Sequence, residues 1–202
     1  MKNAKECALD VFKQRFWRVN HNHGDNTTYL TKLVKSVAEK VVGPISVLEV
    51  GSWMGHSALR FAAMPYVANV VCVDHWDRNQ VENWKPGLQP EDWMNFMYEH
   101  FLSNCLHDGL EHKIYPMRMR SHEAALQLGK EGRRFDLIYL DGGHRSDIIW
   151  QDIVDYYPLA GTLCGDDWMF DKDPENVRWT VIEFAARHGE LVEVDGNVWC
   201  LK

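Results

Sequence analysis

The sequence predicts an α/β protein: a doubly wound, mostly parallel seven-stranded sheet that ends in an antiparallel hairpin and is preceded by two helices. Three observations carry this. From Ile45 onward, short apolar runs alternate with segments of helical periodicity, the pattern of a parallel sheet covered on both faces. The first run, Ile45–Val50, ends Glu49-Val50 and enters a turn with glycines at Gly51 and Gly55 before a helical pattern begins. The last two runs are separated only by Asp195-Gly196-Asn197, the chemistry of a hairpin turn.

Taken in order, Ala8, Val11, Phe12, Phe16 and Val19 recur at helical spacing and predict a helix over Ala4–Val19. The polar loop around His21 and His23 follows, with Asp25 or Asn26 able to cap the next helix. That helix carries Leu30, Leu33, Val34, Val37, Ala38 and Val41 on one face and stops at Gly43-Pro44. Strands are predicted at Ile45–Val50, Val70–Asp74, Lys113–Met117, Phe135–Leu140, Thr162–Gly165, Leu191–Val194 and Val198–Leu201. Between them, helices are predicted near Ser57–Met64, Glu91–Asn104, His122–Leu128, Asp147–Tyr156 and Pro174–Arg187. Asp77 to Pro90 is a long insertion after the second strand, placed to act as a lid. Of the 9 tryptophans, Trp53, Trp76, Trp84 and Trp168 fall in connections at the mouth of the sheet, and Trp93 starts a helix nearby. Trp17, Trp150, Trp179 and Trp199 read as core or interface.

The 202 residues suit a single sizeable core, and 46% hydrophobic with 25% charged residues is a globular composition. A net charge of -7 repels phosphate backbones and argues against nucleic acid as the main partner. Cys7, Cys72, Cys105, Cys164 and Cys200 show no metal or redox spacing and are expected as free thiols in a reducing compartment. With no signal-peptide pattern and no apolar run long enough for a bilayer, the expected location is cytoplasmic, away from membranes.

The glycine spacing discriminates between cofactors. A dinucleotide turn needs a second glycine where Trp53 stands, because backbone must approach a pyrophosphate. The pattern Glu49-x-Gly51-x-x-x-Gly55 suits a ligand without phosphates. An acid at the strand end helps hold an amine, and backbone N–H groups at the helix start hold a carboxylate. S-adenosylmethionine carries both groups, so Glu49, Gly51, Ser52, Trp53, Gly55 and Ser57 are its expected contacts. Asp74 ends the second strand, where a carboxylate accepts both ribose hydroxyls. His75 and Trp76 are expected near the sugar or adenine, and Ser121 and His122 beside the adenine ring.

Further along stand Tyr139-Leu140-Asp141-Gly142-Gly143-His144, then Asp152, then Gly161-Thr162-Leu163-Cys164-Gly165-Asp166-Asp167-Trp168. With the glycine turn, these residues make Ile45 to Lys202 resemble a class I S-adenosylmethionine-dependent methyltransferase of Rossmann-like fold. The likeness is nearest to the macrocin-type sugar O-methyltransferases and cephalosporin-hydroxylase-like proteins. Ala160-Gly161 departs from that group's usual glycine pair. The resemblance implies a general-base role for His144, and an imidazole three residues past Asp141 suits proton abstraction near neutral pH.

Asp141, Asp166 and Asp167 end the fourth and fifth strands, and ligands in open α/β sheets bind beyond those ends. Carboxylates gathered there repel unless a cation sits among them, so Mg²⁺ or another divalent ion is expected, orienting an acceptor hydroxyl and lowering its pKa. The sequence therefore predicts an O-methyltransferase acting on a sugar, glycoside or catechol-like hydroxyl, with His144 and Asp141 catalytic. The rivals are a metal-dependent hydroxylase or hydrolase and a non-catalytic cofactor-binding protein on the same fold. Residues 1–44 are expected as a helical extension, serving as a lid or a contact in a homo-oligomer, and 45–202 as the methyltransferase domain.

Overall fold

The computed structural model describes residues 1–12, 27–77, 96–169 and 177–202. The elements are α1 (Ala4–Phe12), α2 (Thr27–Ala38), β1 (Ile45–Val50), α3 (His56–Ala63), β2 (Val67–Asp74), α4 (Met97–His107), β3 (Ile114–Arg118), α5 (Ser121–Lys130), β4 (Leu137–Leu140), α6 (Ser146–Tyr156), a 3₁₀ turn (Tyr157–Leu159), β5 (Leu163–Gly165), α7 (Val177–His188), β6 (Val192–Asp195) and β7 (Val198–Leu201). Within the described residues, β1 matches its predicted bounds, and β6 is displaced by one residue. β2 begins three residues early. Phe135 makes only an isolated bridge to Ala160 rather than opening β4. The predicted helix beyond Phe12, the cap at Asp25 or Asn26, Trp17, His21, His23, the insertion from 78 to 90 with Trp84, Trp93 and residues 174–176 lie outside the described residues.

The seven strands form one sheet in the order β3-β2-β1-β4-β5-β7-β6. All pairings from β3 to β5 are parallel, and β7 runs antiparallel to both β5 and β6. Strand side chains alternate between faces, and the alternation splits the core in two. Ile45, Val47, Val70, Leu137 and Tyr139 pack with α1 to α4 on one face. Leu48, Val50, Val71, Ile138 and Leu140 pack with α5 to α7 on the other. Both faces are covered, which is why β1, β2 and β4 are apolar nearly throughout.

The chain order reverses at β1, whose neighbours β2 and β4 send their connections to opposite faces. That switch point is where ligands bind in such sheets. The hydrogen-bond ladder continues one residue past each strand there. Gly51 donates to the Val73 carbonyl (2.8 Å), Asp141 to Val50 (2.8 Å) and Asp166 to Leu140 (3.0 Å). The backbone of the future site is thereby fixed by the sheet itself. Among the described residues no helix is long and apolar enough to cross a membrane.

Candidate active site

A cavity of about 920 Å³ opens over the carboxyl ends of β1, β2 and β4. Its floor begins with the β1–α3 turn. Gly51 has φ 88°, and a Cβ there would lie 2.0 Å from the Asp141 carbonyl oxygen, so only glycine lets this turn rest on the end of β4. Gly55, also at φ 88°, caps α3 but stays off the cavity wall, against Phe101. Ser52, Trp53 and Ser57 line the cavity.

Asp74 binds the turn to the end of β2. Its Oδ2 accepts the Trp53 N–H (2.8 Å) and its Oδ1 the Trp76 N–H (2.7 Å). Both tryptophans have left-handed φ, 46° and 45°, a conformation costing about 1–3 kcal/mol each that these bonds offset. Burial raises the Asp74 pKa, and the two N–H donors oppose the shift. Asp74 and His75 face the cavity. Trp76 instead supports the turn from behind: its indole donates to the Trp53 carbonyl (2.6 Å), and its ring is buried against Tyr98 and Phe101. Glu49 lies beneath the turn, fully buried and off the cavity wall. Burial pushes its pKa up to about 7, while the Ser52 and Ser57 hydroxyls beside it pull the other way.

On the opposite wall stand Asp141 and His144, with Asp166 behind them. His144 Nε2 lies 2.7 Å from Asp167 Oδ2. Asp166 Oδ1 accepts from the Asn197 amide (2.7 Å), and its backbone carbonyl accepts from the Trp199 indole (2.9 Å), so the β7 hairpin holds this corner. Burial raises the Asp141 pKa well above the usual carboxylate range, and the charges of Asp166, Asp167 and Glu49 raise it further. Tyr139, which the sequence places in the motif but not in the site, lines the cavity among these carboxylates; burial and then the Asp141 charge raise its pKa. Asp167 is turned to His144 and lies off the large cavity. Among the described residues no group of three or more His, Cys, Asp or Glu side chains is arranged to hold a metal ion. Asp141, Asp166 and Asp167 nonetheless border one small second pocket together with His144, at the place where the sequence expects magnesium.

The third wall is made where α5 meets α6. Ser121 and His122 line the cavity as expected, and His122 pairs with Asp155 (2.8 Å). Asp152 lines it too, with burial holding its pKa near 6. It stands on the buried face of α6 with Ile149, Ile153 and Tyr156. The sequence names it only within the motif; an acid inside an apolar helical stripe is the signal that could have placed it on the wall.

A doubly wound sheet with a glycine turn, a β2 carboxylate and a roomy cavity at the switch point defines an enzyme of the S-adenosylmethionine-dependent methyltransferase class. The chain belongs to the family described as methyltransferase domain, which matches residues 48–168. No curated protein matches it in sequence. Solved structures share the fold. One is CalS11, a TDP-rhamnose 3′-O-methyltransferase of calicheamicin biosynthesis (TM-score 0.58, 12% identity, 88% of this chain and 78% of that one). Another is described as a caffeoyl-CoA O-methyltransferase from Staphylococcus aureus (TM-score 0.59, 13% identity, 100% and 93%). A third is TrmK of M. capricolum, solved with S-adenosyl-homocysteine (TM-score 0.50, 12% identity, 84% and 65%).

Proposed function

We propose that this chain transfers the methyl group of S-adenosylmethionine to a hydroxyl of a small molecule, with a sugar, glycoside or catechol-like acceptor, and that His144 is the general base. One juxtaposition carries the proposal: His144, paired with Asp167, borders the same cavity as the donor turn and Asp74. Two of the similar folds are described as O-methyltransferases, which supports oxygen as the acceptor atom.

The donor, when bound, supplies an electrophilic methyl carbon and a neutral thioether leaving group. Asp74 receives the ribose hydroxyls through lone pairs not used by Trp53 and Trp76. Ser57 and the N–H groups at the start of α3 receive the carboxylate. Glu49 lies beneath the amine position and, with its pKa pushed up to about 7, would complement that amine only in the fraction that ionises as pH rises through neutrality. A neutral His144 that donates its Nε2–H to Asp167 has its basic lone pair on Nδ1. That nitrogen takes the acceptor proton as the acceptor oxygen attacks the methyl carbon, and Asp167 stabilises the imidazolium that forms. Asp141, whose pKa burial and then its acidic neighbours raise, borders the cavity beside His144 and orients the acceptor by hydrogen bonding.

Magnesium belongs to the proposal only as a positive charge that would relieve the repulsion among these carboxylates. Asp141, Asp166 and Asp167 would be its ligands, Asp167 would leave His144, and no step above runs through it. The five free cysteines support the expected reducing, cytoplasmic setting, and a small-molecule acceptor leaves no role for nucleic acid or membrane.

The test is transfer of a labelled methyl to a panel of sugar, glycoside and catechol hydroxyls, with and without a chelator. Binding of S-adenosylhomocysteine is followed by calorimetry. His144→Ala should lower kcat by about 10²–10⁴-fold with nucleoside binding retained. A wild-type chain that binds no S-adenosylhomocysteine, or a His144→Ala chain with full turnover, sinks the assignment. Loss of turnover under chelator would restore the metal to the mechanism.

A further inference from the structure

We propose that Asp152, acting with Ser121, makes the donor site selective for the 6-amino group of adenine over a 6-oxo purine. This rests on the donor assignment above and deepens it. The observation is that α6 holds Ser121 at two points. The Ser121 hydroxyl donates to Asp152 Oδ1, and the Tyr156 hydroxyl donates to the Ser121 carbonyl (2.9 Å). Asp152 and Tyr156 are one helical turn apart on the buried face of α6, so both contacts arise from one element.

The chemistry follows from where the proton sits. A serine hydroxyl has one donor. Here it is committed to a carboxylate, so the serine oxygen can offer the cavity only lone pairs. An ionised Asp152 is likewise acceptor-only. Its Oδ2 lies 3.6 Å from where a Cβ on Gly142 would stand, and glycine there leaves the approach along the β4 loop open. Ser121 follows the end of β3. That end is tied to β2 by the Met119 N–H donating to the Asp74 carbonyl (3.0 Å), which sets the acceptor pair beside the ribose carboxylate. A nucleoside anchored by its ribose at Asp74 thus directs its purine edge at two acceptors. An amino group satisfies them. A carbonyl oxygen faces like-signed lone pairs and adds no donor to a carboxylate that is only 6% exposed and otherwise receives the Ser121 hydroxyl. Arg120 and His122 also border this end, but both are exposed and free to remain hydrated.

The experiment compares binding of S-adenosylhomocysteine and its deaminated counterpart, S-inosylhomocysteine, at pH 8, where Asp152 is ionised. It uses the full chain, Asp152→Asn and Ser121→Ala. The wild type should bind the inosyl compound at least about 100-fold more weakly. Asp152→Asn offers an amide N–H to a 6-oxo group and should bring the two affinities within about fivefold. Ser121→Ala should narrow the ratio to an intermediate value. If the wild type binds both within about threefold, or if Asp152→Asn keeps the full ratio, the proposal fails while the donor assignment stands. If neither compound binds, the donor assignment itself falls. Should Asp152→Asn not fold, the wild-type ratio and its change in Ser121→Ala decide the matter.

Discussion

Glu49 is fully enclosed between the sheet and α3, and neither carboxyl oxygen completes a hydrogen bond among the described residues. Burial dominates over the nearby Ser52 and Ser57 hydroxyls and raises the Glu49 pKa from 4.5 to about 7. The folded state therefore binds more protons than the unfolded state between those values. The Glu49 contribution to stability is greatest below about pH 4.5 and falls as pH rises toward 7, by on the order of 3 kcal/mol. Asp74 and Asp141 are raised as well and act with the same sign. Glu49→Gln should flatten the decline measured by urea unfolding between pH 5 and pH 8, and leave the variant more stable than the wild type at pH 8. A wild-type stability that climbs over this range would mean that Glu49 is ionised in the folded chain. The Glu49-x-Gly51 spacing was visible in the sequence; its burial was not, because that depends on α3 closing over the end of β1. The same holds for the His144–Asp167 pair, which joins two loops after different strands.

At the scale of elements, the β1–α3 turn and the end of β4 are one packing unit. A Cβ on Gly51 would meet the Asp141 carbonyl at 2.0 Å and the Gly142 Cα at 2.7 Å, both backbone atoms that cannot swing aside. Gly132, at φ 65° with nothing within 4 Å of its Cβ position, carries the conformational penalty alone. Gly132→Ala should cost about 1 kcal/mol, and Gly51→Ala more than about 3 kcal/mol with loss of nucleoside binding, both read by thermal melting. Comparable melting temperatures for the two would show that the strand ends can separate. Strands β1 and β4 were legible because they are buried on both faces and read as apolar runs. The start of β2 was not, since Ala68 is exposed and Asn69 half-buried there. What anchors it is Lys113, whose ammonium donates to the carbonyls of Val67 (2.9 Å) and Ala62 (3.1 Å). That contact spans two elements and leaves no local trace in the sequence. Asp152 was visible as a residue but not as part of a wall, because its partner Ser121 comes from another helix.

At the scale of the molecule, the two N-terminal helices share the core of the sheet. Ala4 and Ala8 of α1 and Leu30, Val34 and Val37 of α2 are buried in the same apolar cluster as Ile45 and Val47. Leu30 also reaches the cavity wall. The tip of the C-terminal hairpin meets α2 as well: a Cβ on Gly196 would lie 2.3 Å from the Tyr29 ring, and Lys32 pairs with Asp195 (2.9 Å). Burying one aliphatic side chain is worth about 1.5–3 kcal/mol, so the three from α2 together approach the whole stability of an ordinary domain, about 5–15 kcal/mol. The ion pair is half exposed on both sides and contributes at most about 1 kcal/mol. A chain reduced to residues 45–202 should therefore lack a cooperative thermal transition by circular dichroism, whereas Lys32→Ala in the full chain should melt within about 4 °C of the wild type. If the fragment instead melted cooperatively near the temperature of the full chain, the helices would be an appended lid over the acceptor. Loss of the fold with the helices would make Leu30 a fixed wall of the cavity rather than part of a movable cover.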